Sequence, residues 1–270
     1  MPSHAPIVTR SRFTSARGCV SDVARLAQEI PLFPVERTMP LGPLAAVRDA
    51  VGKTAAAGAA RIGWAAVFLK AYAIVAHEMP VLRTWLVRGF PRSRLATASH
   101  SVATLAVNRL EDGEDRLFWA RLAAPDAKSL PEIQQFIVDC AMKPAEEMFK
   151  RQLELEMVPG FLRRAILRWN MNSFSRKRAA RIGTFSLSTL AGMGATNRFH
   201  PTICTTSLSY APLDADGHCL VTLIADHRVL DGVVVARALD RLEEVLCHEM
   251  LAELRGLAAG GTEAATKACA

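Results

Sequence analysis

The chain has 270 residues, of which 50% are hydrophobic and 22% charged, and a formal net charge of +7. That balance supplies a sizeable core and excludes an intrinsically disordered chain, and the longest apolar run, Ile62 to Val75, contains Lys70 and is too short to cross a bilayer. Cys19, Cys140, Cys204, Cys219, Cys247 and Cys269 show no CxxC or other metal-ligand spacing and no signal peptide is recognisable, which reads as a reduced, cytoplasmic protein without a metal site.

Residues 1–15 are polar and irregular and read as a flexible N-terminus. Helix is expected near Val20 to Glu29, a strand near Phe33 to Arg37, helix near Leu44 to Lys53 and a buried helix near Trp64 to His77. A hairpin follows, with strands near Ala103 to Asn108 and Arg116 to Leu122 joined at Glu111-Asp112-Gly113-Glu114. Helices run from Leu130 to about Leu155, and Pro159-Gly160 interrupts the pattern before a basic amphipathic helix. Strands Thr184 to Thr189, Ile203 to Ser209 and Cys219 to Ala225 lead into a terminal helix, Val233 to Met250, and residues 258–270 read as a flexible tail. Strands and helices mixed without strict βαβ alternation predict one α/β domain over residues 16–257, a two-layer sandwich of a mixed sheet covered by helices. Gly192-Met193-Gly194 lacks the third glycine of a dinucleotide fingerprint, so a Rossmann site is rejected.

Positive charge is local. Arg163, Arg164, Arg168, Arg176, Lys177, Arg178 and Arg181 fall within residues 163–181, which contain no acid. Phe161, Leu162, Ala165, Ile166 and Trp169 recur at helical spacing beside them, giving a basic amphipathic segment suited to an acidic partner, anionic phosphates or a membrane surface. The bland alternative is a solvated helix face. No nucleic-acid fold signature accompanies the cluster, so nucleic acid is not expected as a partner.

The most informative stretch is Asp226-His227-Arg228-Val229-Leu230-Asp231-Gly232, entered from the apolar run Leu220 to Ala225 and followed by the terminal helix. A histidine at a strand end is held by a rigid element and can transfer protons near neutral pH. Gly232 lets the backbone pass close to its neighbours before the helix begins. His77 and His248 sit in expected helices, while His100, His200 and His218 fall in loop-like segments without metal-ligand partners.

Asp226-His227-Arg228-x-x-Asp231-Gly232 resembles the active-site signature of the acyltransferase catalytic domain of 2-oxo acid dehydrogenase complexes, the dihydrolipoamide acyltransferases, whose fold is chloramphenicol acetyltransferase-like. Condensation domains of peptide synthetases carry the more distant pattern His-His-x-x-x-Asp-Gly, which lacks the arginine that follows His227 here. Gly183-Thr184-Phe185-Ser186-Leu187-Ser188-Thr189-Leu190 is similar to the family's Gly-Thr-Phe-Thr-Ile-Ser-Asn-Leu strand, and Asp126 to Ile133 and Phe68-Leu69-Lys70-Ala71 match further segments.

The resemblance implies His227 as general base, Ser188 as oxyanion donor and Asp231 as a structural aspartate paired with an arginine. Arg17 is the first choice for that partner, with Arg12 and Arg25 as alternatives. Arg228 and Asp226 are expected to lock the strand-to-helix turn. The implied reaction moves an acyl group between a thioester of coenzyme A, lipoamide or a carrier protein and a thiol or other nucleophile, with no tightly bound cofactor. The family's active site lies between subunits of a trimer, so a homotrimer or higher symmetric oligomer is implied. Relative to the family, residues 149–181 form an insertion holding the basic helix. Arg163, Arg164 and Arg168 are its candidate docking residues for substrate or partner. The chain shows no lipoyl domain of its own, which makes an external lipoyl domain or acyl carrier protein the expected partner. The competing readings are a non-catalytic oligomeric scaffold and a homologue binding a partner or membrane surface. Retention of His227, Asp231 and Ser188 together favours the enzyme.

Overall fold

A computed structural model describes residues 13–54, 61–111 and 113–268, with side chains described to residue 259. Its strands are β1 (Leu32–Pro40), β2 (Thr84–Val87), β3 (Arg94–Thr97), β4 (Val102–Glu111), β5 (Glu114–Ala123), β6 (Phe185–Leu187), β7 (Thr206–Tyr210) and β8 (His218–Asp226). The main sheet has the order β1-β8-β7-β6-β4-β5, while β2 and β3 form a separate hairpin. β4, β6 and β7 run parallel to one another, and the other neighbours are antiparallel, so the sheet is mixed.

The apolar run expected to be a buried helix is α3 (Trp64–Glu78), preceded by α1 (Ser15–Ala27) and α2 (Gly42–Thr54). α3 is apolar on nearly every side because it is covered on nearly every side. Its Phe68 stacks on Tyr210 of β7 at 4.3 Å, and Tyr72 meets Phe185 of β6 edge-on and donates to Thr206 Oγ1 at 2.8 Å. α4 (Leu130–Met142), behind the Ser129–Glu132 capping box, packs beside α3. α9 (Gly232–Glu244) runs through a π-helical turn, Val245–Met250, into α10 (Leu251–Ala268). Leu239, Leu242, Val245, Leu246, Met250 and Leu254 of this continuous helix are all buried. The one charge on the covered part of α3, Lys70, is met by Glu253 of α10 at 2.6 Å. α10 thus reaches Ala268, beyond the expected domain end at residue 257, while residues 1–12 of the expected flexible N-terminus lie outside the described residues.

To this sandwich the structure adds a cap on the opposite face of the sheet. The inserted segment folds, after the short α5 (Ala145–Met148), as α6 (Lys150–Met157), α7 (Gly160–Met171) and α8 (Arg176–Ile182). These helices and α1 lie over β4 and β5. What fastens α7 to α1 is a buried ion pair: Arg163 Nε donates to Asp22 Oδ2 at 2.7 Å, both side chains 7% exposed. Arg164 reaches the other oxygen of Asp22 at 3.1 Å, and Arg168 pairs with Glu29. Gly18 of α1 leaves the space that the Arg163 guanidinium takes, since a methyl group there stands 2.9 Å from Nη2. The basic run that lacks acids in sequence finds them on α1, at Asp22, and just beyond its end, at Glu29.

Removing one partner of a buried pair leaves the other uncompensated. Asp22→Ala is therefore expected to lower stability by about 3–5 kcal/mol, read as a drop in the urea midpoint, and Asp22→Ala combined with Arg163→Met is expected to recover most of the loss.

Candidate active site

β8 delivers His227. Its backbone amide donates to Pro31 O at 3.0 Å, beside the start of β1, and its ring lies on Phe33 with centroids 4.5 Å apart. The turn that follows is built by Asp226. Its carboxylate accepts from Arg228 N at 3.0 Å, Nε at 2.9 Å and Nη2 at 2.7 Å, and its carbonyl accepts from the amides of Val229 and Leu230. Leu230, buried in the core, anchors the loop. Asp226 and Arg228 therefore fix where His227 starts and where α9 begins.

Asp231 stands differently from its expectation. It is the residue before α9, makes no capping hydrogen bond with its side chain, and is exposed, with His227 Nδ1 3.8 Å from Oδ1. Among the described residues that histidine is its ionic neighbour, whereas Arg17 is exposed on α1 and Arg25 lies on the same helix. Arg12 lies outside the described residues. The expected Asp231–Arg17 pair is not formed, because α1 belongs to the cap over β4 and β5 while Asp231 follows β8.

Ser188 directly follows β6. Gly183 opens this strand with φ +96°, and a Cβ there would stand 2.2 Å from Thr104 Oγ1, which only glycine avoids. Thr184 then clamps β4, its hydroxyl accepting from Val102 N at 3.0 Å. Phe185 and Leu187 point into the core, which turns Ser186 and Ser188 to the capped face. Ser188 N donates to Leu208 O at 3.1 Å, and its hydroxyl is without a partner among the described residues.

The register sets how far apart these groups are. Leu187 pairs with Leu208 and Leu208 with Leu223, so Ser188 is level with Thr222 of β8, while His227 lies five residues farther along that strand. The two are separated by about 17 Å along the strands and about 10 Å across two strand spacings. One copy of the chain holds the base and the hydroxyl towards opposite ends of its strands.

The structure brings up a residue that the sequence pattern left without a role. His200 lines the same cavity as Ser188, with Nε2 2.6 Å from Ser207 Oγ; Ser186 donates to Ser207 at 2.6 Å, and Asn197 stands 3.3 Å from the other ring nitrogen. Burial pushes the imidazole pKa down to about 4. No spacing signal links these positions, because the loop from Ala191 to Thr205 folds His200 back over β7. Of the docking arginines, Arg163 is buried on Asp22 and is closed to a partner; Arg164 stays half-exposed while paired to Asp22, and Arg168 exposed while paired to Glu29. Asp214, Asp216 and His218 gather at the β7–β8 turn, where Asp214 Oδ1 already accepts from the amides of Asp216 and His218. That bonding accounts for the cluster as a turn. No helix among the described residues is long and apolar enough to cross a membrane.

No family model and no curated protein matches the chain. Solved structures do. The catalytic dihydrolipoamide acetyltransferase of Azotobacter vinelandii, studied for the roles of a serine, a histidine and an asparagine in its mechanism, matches with a TM-score of 0.68 and 18% identity over 92% of this chain and 98% of that one. The truncated catalytic core of the 2-oxoacid dehydrogenase multienzyme complex from Thermoplasma acidophilum matches with a TM-score of 0.64 and 16% identity, over 90% and 99%. The cubic core of a pyruvate dehydrogenase multienzyme complex matches with a TM-score of 0.64 and 18% identity, over 92% and 98%. The chain has the fold of these acyltransferase cores. Within it, β6 and the end of β8 carry the two segments that the sequence motifs singled out.

His200 offers a titration test. A histidine kept neutral by folding binds its proton in the unfolded chain first, near pH 6.5. Its stabilising contribution is therefore complete above about pH 6.5 and is lost as pH falls towards about 4, the folded value. The expected result is an imidazole NMR signal for His200 that does not titrate between pH 5 and 8, and a decline in stability between pH 6.5 and 4 that His200→Gln reduces.

Proposed function

We propose that the protein is an acyltransferase that moves an acyl group between thioesters, with His227 of one copy and Ser188 of a neighbouring copy completing each site. The observation that carries this reading is that both groups are free for chemistry, on a fold shared with acyltransferase cores, yet stand towards opposite ends of the strands in one sheet. A symmetric assembly of copies can bring the β8 end of one against the β6 end of another, and one of the solved structures with this fold is a cubic core.

The chemistry follows from the groups. Neutral His227 accepts the proton of an incoming thiol, the sulfur attacks the thioester carbonyl, and the carbonyl oxygen becomes an oxyanion. Ser188 donates its free hydroxyl to that oxyanion. The intermediate collapses by expelling the first sulfur, which takes back the proton from the imidazolium. No water enters and the protein is not itself acylated. Coenzyme A and a lipoamide or carrier-protein thiol, supplied by an external domain, fit as the exchanging thiols, with no tightly bound cofactor. Asp231 Oδ1 stands 3.8 Å from Nδ1, on the side of the ring away from the nitrogen that would meet the thiol. A second reading, a partner-binding or membrane-surface protein, draws on the exposed Phe161, Leu162 and Trp169 of α7.

His227→Ala is expected to lower kcat for transfer from acyl-coenzyme A to dihydrolipoamide by about 10²–10⁴, and Ser188→Ala by about 10²–10³, with folding unchanged. Co-assembling the two inactive variants decides the shared site: hybrids in which an intact Ser188 of one copy meets an intact His227 of another regain activity. Hybrids as inactive as their parents would refute the arrangement between copies.

A further inference from the structure

The cap and the sheet enclose a cavity of about 460 Å³, a size suited to a small-molecule ligand. Val20 and Val23 of α1, Leu155 and Val158 of α6, and Ile166 and Leu167 of α7 form apolar walls. Arg121 of β5 interrupts them. Its Nη1 donates to Trp119 O at 3.2 Å, its Nε is shut off from solvent without a partner, and no carboxylate pairs with it among the described residues. Burial pushes its pKa down, with the like charge of Arg151 adding to the effect. The other charges at the cavity do not relieve it: Arg151 and Glu154 are exposed on α6, and Arg181 is held by Asn170 Oδ1 at 2.6 Å. A guanidinium enclosed by apolar walls is costly unless an anion meets it.

Ser188 lines the same cavity. Ser186 pairs with Thr104 and Thr104 with Arg121, so Arg121 is two strands from Ser186, and Ser188 is two residues beyond. The Cα atoms of Ser188 and Arg121 are then about 12 Å apart on one face of the sheet. This places a hydroxyl free for a thioester carbonyl and an unpaired cation at two points of one apolar chamber.

We infer that this chamber is the acyl-group site and that its substrate is a thioester whose acyl group has a hydrocarbon stem ending in a carboxylate, bound by Arg121. The inference rests on the acyl-transfer reading, but the chamber can be tested without any turnover.

Straight-chain carboxylates (hexanoate, octanoate and decanoate) and the primary alcohols of equal length are titrated calorimetrically into wild type, Arg121→Met, Ala24→Phe and His227→Ala. Carboxylates are expected to bind wild type and His227→Ala alike. Arg121→Met is expected to weaken them about ten- to a hundred-fold while leaving the alcohols unchanged, and Ala24→Phe, which fills the chamber from α1, weakens both. Without ligand, Arg121→Met is expected to melt above wild type, since it removes an uncompensated charge. Equal affinity for acid and alcohol, an Arg121→Met variant that binds carboxylates as wild type does or melts below it, or no binding to wild type, would each overturn the inference. Kinetics then separate the two readings. ω-Carboxyacyl-coenzyme A should exceed the unsubstituted acyl thioester in kcat/KM in wild type but not in Arg121→Met. Transfer without that preference sinks the chamber's role alone, whereas carboxylate binding without transfer from any thioester sinks the acyltransferase reading alone.

Discussion

Alternation along the strands organises this molecule. Every second side chain of β4, β6, β7 and β8 must face one side of the sheet and the intervening ones the other. On one face that parity collects Ala103, Leu105, Phe185, Leu187, Leu208 and Leu223, which α3 covers. On the other it collects Thr104, Arg121, Ser186, Ser188 and Ser207, too polar to form a second core. The cap can close over this second face because the Arg163–Asp22 pair supplies an attachment that does not depend on apolar packing alone. What lies beneath remains a chamber rather than a filled interior.

The same sheet explains why the reactive groups look incomplete in one copy. A strand end is a firm place to hold a histidine, and the end of β8 is held by the hydrogen bonds that Arg228, Val229 and Leu230 donate to Asp226. The end of β6 is equally firm, but β6 runs parallel to β7 and β8 antiparallel to it, so the two strands end on opposite sides. Rigidity and separation have one cause. A flexible loop could cross the gap at the expense of precision, whereas association between copies closes it with both groups still fixed.

Much of this could be read from residues alone. The apolar run of α3, the Gly113 hairpin and the strand into Asp226-His227 are local patterns, and their periods survive folding because each element buries the face that its sequence marks. Gly183 stood out in the sequence only as the first residue of a strand motif, and its positive φ and the close Thr104 hydroxyl emerge from the fold. The destinations of the arginines were not. A guanidinium on α7 is a surface charge or a buried tie according to whether Asp22, 141 positions earlier than Arg163, comes to meet it. His200 and Arg121 share that character, because their roles arise from neighbours on other strands and helices. The hairpin of β2 and β3 also escaped, its strands being only four residues each.

The π-helical turn Val245–Met250 carries a further consequence. Such a turn accommodates one more residue than an α-helical turn, which rotates everything beyond it by about 100° relative to an uninterrupted helix. Glu253 lies beyond it, and its carboxylate reaches both Lys70 on α3 and the amide of Leu130 at the start of α4. The extra residue is therefore what aims α10 at two other helices at once. In this stretch the number of residues is more tightly constrained than their identity: one apolar side chain can stand in for another, but losing a single position would swing Glu253 off both partners and leave Lys70 unanswered.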